Sequence, residues 1–276
     1  MGSGPPVVLL HGWPGDRQDY RQVLQKLGRH AEVIAPDLRG FGESDKHPQD
    51  PTVAYSASAQ ARSVLQLIEE LGLERPLLAG YDIGSRIAQT ICLLAPERVL
   101  SAVLCPPLPG AGQRILAADS QREYWYQAFH QLELAAELID GDPRAVRAYL
   151  RHFWSHWSGP EFHQAEEELE RLVADYAKRG AFTASIAWYR AGSGTVARSL
   201  AEQIPDPDQR VSVPALILWP EHDPLYPQAW SDRVSDFFSR AVVRFLPRIG
   251  HFVPVEAPTL FVSAIEEALD LAGGHR

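Results

Sequence analysis

GYDIGSRIA, residues 80 to 88, follows the apolar run PLLA at 76 to 79 and opens a helix-like pattern that runs to Leu94. Gly80-x-Asp82-x-Gly84 thus reads as a sharp strand-to-helix turn whose small flanking residues hold one side chain out over the end of a sheet. Taken alone, the same letters also fit a plain turn in which Asp82 caps a helix opening at Ser85. The sequence on either side decides between the two.

Upstream and downstream, short apolar runs recur, each cut off by turn residues: PVVLL before HGWPG at 11 to 15, AEVIAPDLRG at 31 to 40, LSAVLCPP at 100 to 107, PALILWPEHD at 214 to 223 and AVVRFLPRIGH at 241 to 251. Helical patterns such as SASAQARSVLQLIEEL, 56 to 71, lie between several of them. Runs apolar throughout are strands buried on both faces, and their alternation with helices predicts an α/β chain with a mostly parallel sheet. Such sheets carry their sites at the carboxyl ends of the strands, which is where these loops fall.

The alternation stops after PPLPG at 106 to 110 and resumes only near Val213. Four candidate helices fill the gap: REYWYQAFHQLELAAELI, PRAVRAYLRHFWSHW, EFHQAEEELERLVADYAKRG and FTASIAWYRAG. We expect a core domain built from 1–108 and 206–276, interrupted by a helical cap domain at 109–205.

Bulk properties narrow the function. A net charge of −9 without any Lys/Arg cluster argues against nucleic acid as a partner. No export signal and no apolar run of about 18 residues is present, so no membrane partner is expected. The two cysteines, Cys92 and Cys105, sit among apolar residues as buried thiols would in a reducing cytoplasm. His152 and His156 are spaced for one helix face, yet without a third ligand in view they read as packing or solvated residues, and no metal or other cofactor is expected.

The ordered set HGWPG, DLRGFGES (37–44), GYDIG, a helical segment, EHDPLYP (221–227) and GHF (250–252) resembles the α/β-hydrolase fold, most closely the epoxide hydrolases with an aspartate nucleophile. The resemblance spans nearly the whole chain. It implies Asp82 as nucleophile, Asp223 rather than Glu221 as the acid that orients His251, and the backbone N–H groups of Trp13 and Ile83 as an oxyanion hole. His11 and DLRGFGES would be structural, with Asp37 and Arg39 in local polar contacts, and the aromatic residue before Pro14 raises the chance of a cis peptide. WYQAFHQL (125–132) and WYRAG (188–192) are similar to family segments that carry two cap tyrosines, here Tyr126 and Tyr189, with Tyr124 as a rival to the first. Relative to the family, the chain begins almost at PVVLL, so about six strands are expected instead of eight, with the 32–36 run at an exposed edge of reduced stability.

Chemistry supports an aspartate in this place. A carboxylate is ionised at neutral pH and displaces leaving groups at saturated carbon, whereas its attack on an ester would give an anhydride. An epoxide leaves as an alkoxide and calls for a proton donor, which a phenol supplies; a halide does not. The expected function is therefore hydrolysis of a small-molecule epoxide to a vicinal diol through an alkyl ester on Asp82, released by His251-activated water. The alternatives are a haloalkane or haloacetate dehalogenase on the same nucleophile and a non-catalytic binding protein of this fold. Ile83 lacks the halide- or carboxylate-binding side chain that dehalogenases of the resemblance carry there, although Arg86 is one turn away. Homodimerisation is left open.

Overall fold

The computed structural model describes residues 2–273 of the chain. Each apolar run forms a strand: β1 Pro6–Leu10, β2 Glu32–Ile34, β3 Leu77–Gly80, β4 Ala102–Leu104, β5 Ala215–Pro220 and β6 Ala241–Leu246. They make one six-stranded sheet in the order β2-β1-β3-β4-β5-β6. Every neighbouring pair is parallel, so the sheet is wholly rather than mostly parallel. The short strand β2 closes one edge, as expected, and β6 closes the other with a half-exposed pattern.

Burial explains the composition of the inner strands. β3, β4 and β5 are buried at every residue, because helices Asp82–Leu94 and Pro258–Gly273 pack on the sheet, backed by Ala57–Glu70 and Arg21–Leu27 respectively. Cys92 and Cys105 are free and buried in this core. No helix among the described residues is long and apolar enough to cross a membrane.

β1 pairs with β2 on one side and β3 on the other, so the strand order reverses there. At such a reversal the loops leaving adjacent strands diverge and open a crevice beyond their carboxyl ends. His11 to Gly15 leave β1 and Tyr81 and Asp82 leave β3, which brings these two loops together at that crevice.

Between β4 and β5 the described chain forms no strand: it runs through 3-10 turn Gly112–Leu116, helices Ala118–Glu123, Trp125–His130, Glu133–Ile139, Pro143–His156, Glu166–Tyr176, Ala181–Arg190 and Thr195–Leu200, 3-10 turn Pro207–Gln209 and a single bridge from Val211 to Phe238. The first expected helix is therefore three, broken at Tyr124 and at Gln131–Leu132. This insertion meets the core through aromatic rings: the Trp13 indole lies parallel to Tyr126 at 5.7 Å and meets Phe153 edge-on at 4.7 Å.

Candidate active site

The turn after β3 is built by steric necessity. Asp82 has φ +49°, a left-handed conformation that costs a residue with a Cβ roughly 1–2 kcal/mol. It begins helix Asp82–Leu94, whose N-cap is Tyr81. Asp82 is thus not the helix cap that its letters alone allow. Its glycine neighbours are required by contact: a Cβ at Gly84 would land on the Leu10 carbonyl, and one at Gly80 would lie 2.6 Å from the Gly84 carbonyl carbon. Across the crevice, a Cβ at Gly12 would overlap the Asp82 side chain.

This close approach puts donors on the carboxylate. The Trp13 N–H donates to Asp82 Oδ1 at 2.8 Å. Ile83 lies in the first turn of the helix, where the N–H groups have no acceptor within the helix. The Trp13–Pro14 peptide is cis.

His251 is fully buried between two carboxylates. Its Nδ1 donates to Asp223 Oδ2 at 2.8 Å, and its Nε2 lies 3.4 Å from Asp82 Oδ2. Asp223 is held in turn by the Leu225 N–H, which donates to Oδ1 at 2.9 Å. Burial pulls the His251 pKa down, but Asp223 and then Asp82 outweigh it and raise the value to about 10. The resting imidazole is a cation with one negative neighbour on each side.

Tyr126 and Tyr189 come from different helices and meet over Asp82. Their rings meet edge-on at 5.6 Å, and each phenol feels both the other and the Asp82 charge. Burial first, with Asp82 adding to it, pushes both well above the ordinary phenol range, so they hold their protons. The two tyrosines, Asp82, Ile83, Arg86, Gln127 and Thr195 share a cavity of about 10 Å³, space for about one water. Larger surface clefts of about 530, 350 and 310 Å³ lie elsewhere, and of these the last alone touches this site, through Arg86.

The remaining candidates separate cleanly. Tyr124 turns away, donating its hydroxyl to the Leu225 carbonyl at 2.7 Å. Glu221 is exposed and accepts the Arg248 N–H at 2.9 Å. Buried His11 bridges loops, accepting the Leu38 N–H on Nε2 at 2.9 Å. Asp37 accepts from Arg17 and from the Glu43 N–H, and Arg39 donates to the Ala54 carbonyl. His152 and His156 stack on one another, and His156 meets Glu123 at 2.7 Å, a carboxylate their spacing did not reveal. No group of three or more metal-type ligands occurs among the described residues.

A family model described as alpha/beta hydrolase fold matches residues 5–258. The chain belongs to the alpha/beta hydrolase fold family. It is 28% identical to the soluble epoxide hydrolase of Corynebacterium sp. (strain C12) over 95% of this chain and 88% of that one. It is 31% identical to a fluoroacetate dehalogenase of Burkholderia sp. over 78% of this chain and 71% of that one. Among solved structures it resembles the epoxide hydrolase CorEH without ligand, with TM-score 0.82 and 25% identity, covering 100% of this chain and 94% of that one.

For an alpha/beta hydrolase, the arrangement contains one side chain that motif spacing did not single out. Gln127 Nε2 donates to the Tyr126 hydroxyl at 3.0 Å, while its Oε1 accepts the Val196 N–H at 3.0 Å. The second bond fixes the amide's orientation, so the Tyr126 oxygen is an acceptor toward Gln127 and keeps its own proton for another partner. Its place directly after Tyr126 was the available signal, but the contact that orients it comes from residue 196.

Proposed function

We propose that the protein is an epoxide hydrolase, with Asp82 as nucleophile, Asp223 and His251 completing a catalytic triad, Trp13 and Ile83 lending the oxyanion hole, and Tyr126 and Tyr189 as the proton-donating pair of a cap domain at 109–205. The observation that carries the reading is the pair of protonated phenols sharing one small cavity with the Asp82 carboxylate. A halide would need no such donors; an alkoxide does. The name of the Corynebacterium relative points the same way.

An Asp82 oxygen attacks an epoxide carbon, the carbon–oxygen bond breaks, and a tyrosine gives the alkoxide its proton. The Asp82 charge disappears into the ester, which removes one of the two carboxylates that hold His251 at about 10. The imidazolium then releases a proton that restores the tyrosine, and the neutral imidazole can take a proton from water as the water oxygen adds to the ester carbonyl. Trp13 and Ile83 N–H groups would hold the oxyanion. Collapse expels the diol oxygen, which takes the second water proton, and leaves Asp82 ionised and His251 cationic.

Incubation with styrene oxide and 1,2-epoxyhexane tests this reading. The expected products are vicinal diols. His251→Gln should halt the cycle as an Asp82 ester, seen as added mass equal to one epoxide, and the Tyr126→Phe/Tyr189→Phe double variant should lose epoxide opening by at least about 100-fold. Full turnover in the double variant would remove both tyrosines from the mechanism.

One observation favours a second reading. Arg86 is 8% exposed, its guanidinium makes one long hydrogen bond of 3.4 Å to Gln89, and it has no ion-pair partner among the described residues. A guanidinium beside the nucleophile could pair with the carboxylate of a haloacid, in keeping with the Burkholderia relative's name. Fluoride or chloride release from the corresponding haloacetate, without diol from any epoxide, would select it.

A further inference from the structure

We infer that Glu256 is a positioning residue that holds His251 for the water-activation step by fastening its loop to the cap. The inference rests on the reading of Asp82 as an alkylated nucleophile.

Residues 250–252 have no regular secondary structure, yet His251 must present Nδ1 to Asp223 and Nε2 to Asp82 at once. The backbone on both sides of it is fixed by one carboxylate. Glu256 Oε2 accepts the Gly250 N–H at 2.8 Å, and Oε1 accepts the Phe252 N–H at 3.0 Å. The same Oε2 also accepts the Gly159 N–H of the insertion at 2.8 Å. The His251 N–H completes the set by donating to the Trp157 carbonyl at 2.7 Å. All three N–H groups of the loop are thereby committed, two to Glu256 and one to the insertion.

The two backbones touch closely enough to require glycine. A Cβ at Gly159 would lie 2.5 Å from the Arg248 carbonyl oxygen and 2.9 Å from Glu256 Oε2, and one at Gly250 would strike the 157–159 backbone. Hydrogen bonds from N–H groups to a carboxylate are stronger than neutral ones; two of them hold the short irregular segment and the third ties it to the insertion. Phe252 adds a stacked contact with Trp154 at 3.9 Å on the insertion side.

The two half-reactions depend on this clasp differently. Opening of the epoxide is done by Asp82 and the tyrosines, which Glu256 does not touch. Hydrolysis of the ester needs the His251 ring aimed so that Nε2 holds a water at the ester carbon, and a small rotation of the loop spoils that aim. Weakening the clasp should slow the second step and leave the first.

Glu256→Gln is the gentle variant: it keeps one acceptor oxygen but sets an NH2 group against an N–H donor. With styrene oxide, rapid-quench intact-mass analysis of the full chain should show an unchanged alkylation rate within about twofold, a kcat about tenfold lower, a KM lowered in parallel, and ester on most of the protein at steady state. Glu256→Asp, which keeps the charge, should recover part of kcat. A lower kcat with unchanged KM and no accumulated ester overturns the inference, since that is what a smaller folded fraction produces. Failure of both variants to fold also overturns it, making Glu256 a folding residue only. If the wild type opens no epoxide, the functional reading fails instead, and the low-field proton NMR signal of the His251–Asp223 hydrogen bond decides on Glu256. Loss of that signal in a folded Glu256→Gln protein upholds the positioning role; retention removes it.

Discussion

Asp82 occupies a backbone conformation that most residues avoid, in a turn so closely packed that neither Gly80 nor Gly84 has room for a Cβ. Gly84→Ala would drive a methyl into the Leu10 carbonyl, backbone against backbone, with no flexible side chain to yield. The expected loss is at least about 3 kcal/mol in urea denaturation, whereas an exposed helical Gly→Ala change would gain about 1 kcal/mol. Gln127→Leu tests a different residue-scale effect. It leaves Tyr126 without the donor that orders its hydroxyl and should lower the rate of Asp82 alkylation about tenfold in single-turnover measurements, with ester hydrolysis unchanged. An equal loss in both steps would mean Gln127 acts only on the fold. The glycines were legible in the sequence because Gly-x-Asp-x-Gly is a local turn pattern, although the contact that requires Gly84, with the Leu10 carbonyl, is not local. Gln127 was not, because its orientation depends on the Val196 N–H, and no spacing rule links the two. The choice between Tyr124 and Tyr126 was undecidable for a similar reason, since it turns on whether the Leu225 carbonyl is there to receive one hydroxyl.

Strands were read well because a fully buried strand must be apolar throughout, and each such run ends at a turn signal. Helices of the insertion were read less well. REYWYQAFHQLELAAELI has no proline or glycine to announce a break, yet the chain leaves helical geometry at Tyr124 and Leu132 to meet partners on other elements. One such set of partners aligns the tyrosine helices. Arg190, at the end of Ala181–Arg190, donates to the His130 carbonyl at 3.0 Å and the Leu132 carbonyl at 3.1 Å, while Gln131 donates to the Tyr189 carbonyl at 2.6 Å. Of these, the bond to His130 satisfies a carbonyl left open at the end of Trp125–His130, while the Leu132 and Tyr189 carbonyls also accept the Ala135 and Gly192 N–H groups. Arg190→Ala should therefore cost about 1–3 kcal/mol in denaturation. If the stitches also align Tyr126 with Tyr189, alkylation by styrene oxide slows several-fold in the folded variant. An alkylation rate equal to wild type would confine the stitches to stability.

At the scale of the whole molecule, the insertion is fastened to the core on more than one side. Gly159 bonds Glu256, Arg171 pairs with Asp16 at 2.5 Å, and Tyr176 donates to the Gly15 carbonyl at 3.0 Å. Fastening by buried charge makes stability depend on pH. Asp19 accepts the Tyr81 hydroxyl at 2.5 Å beneath the Asp16–Arg171 pair; burial first and the Asp16 charge second raise its pKa to about 8. In the unfolded chain the same carboxyl titrates near 3.9. Between those values the folded protein keeps a proton that the unfolded chain has released, so stability falls as pH rises from about 4 through 8. His251, held at about 10 against about 6.5 unfolded, continues the decline from about 6.5 to 10. His130 acts oppositely: burial lowers it to about 3, so its contribution is lost as pH falls below about 6.5. The combined expectation is greatest stability in mildly acidic solution. Asp19→Asn isolates one contributor, because both bonds to the carboxyl, from Tyr81 and from the Asp16 N–H at 3.2 Å, fall on a single oxygen that an amide retains. Urea denaturation should find the variant and the wild type close in stability at pH 5 and the variant more stable by more than about 1 kcal/mol at pH 9. The decline that remains in the variant above pH 8 belongs to His251. A difference between the two proteins that does not change from pH 5 to pH 9 would show that Asp19 does not hold its proton in the folded state.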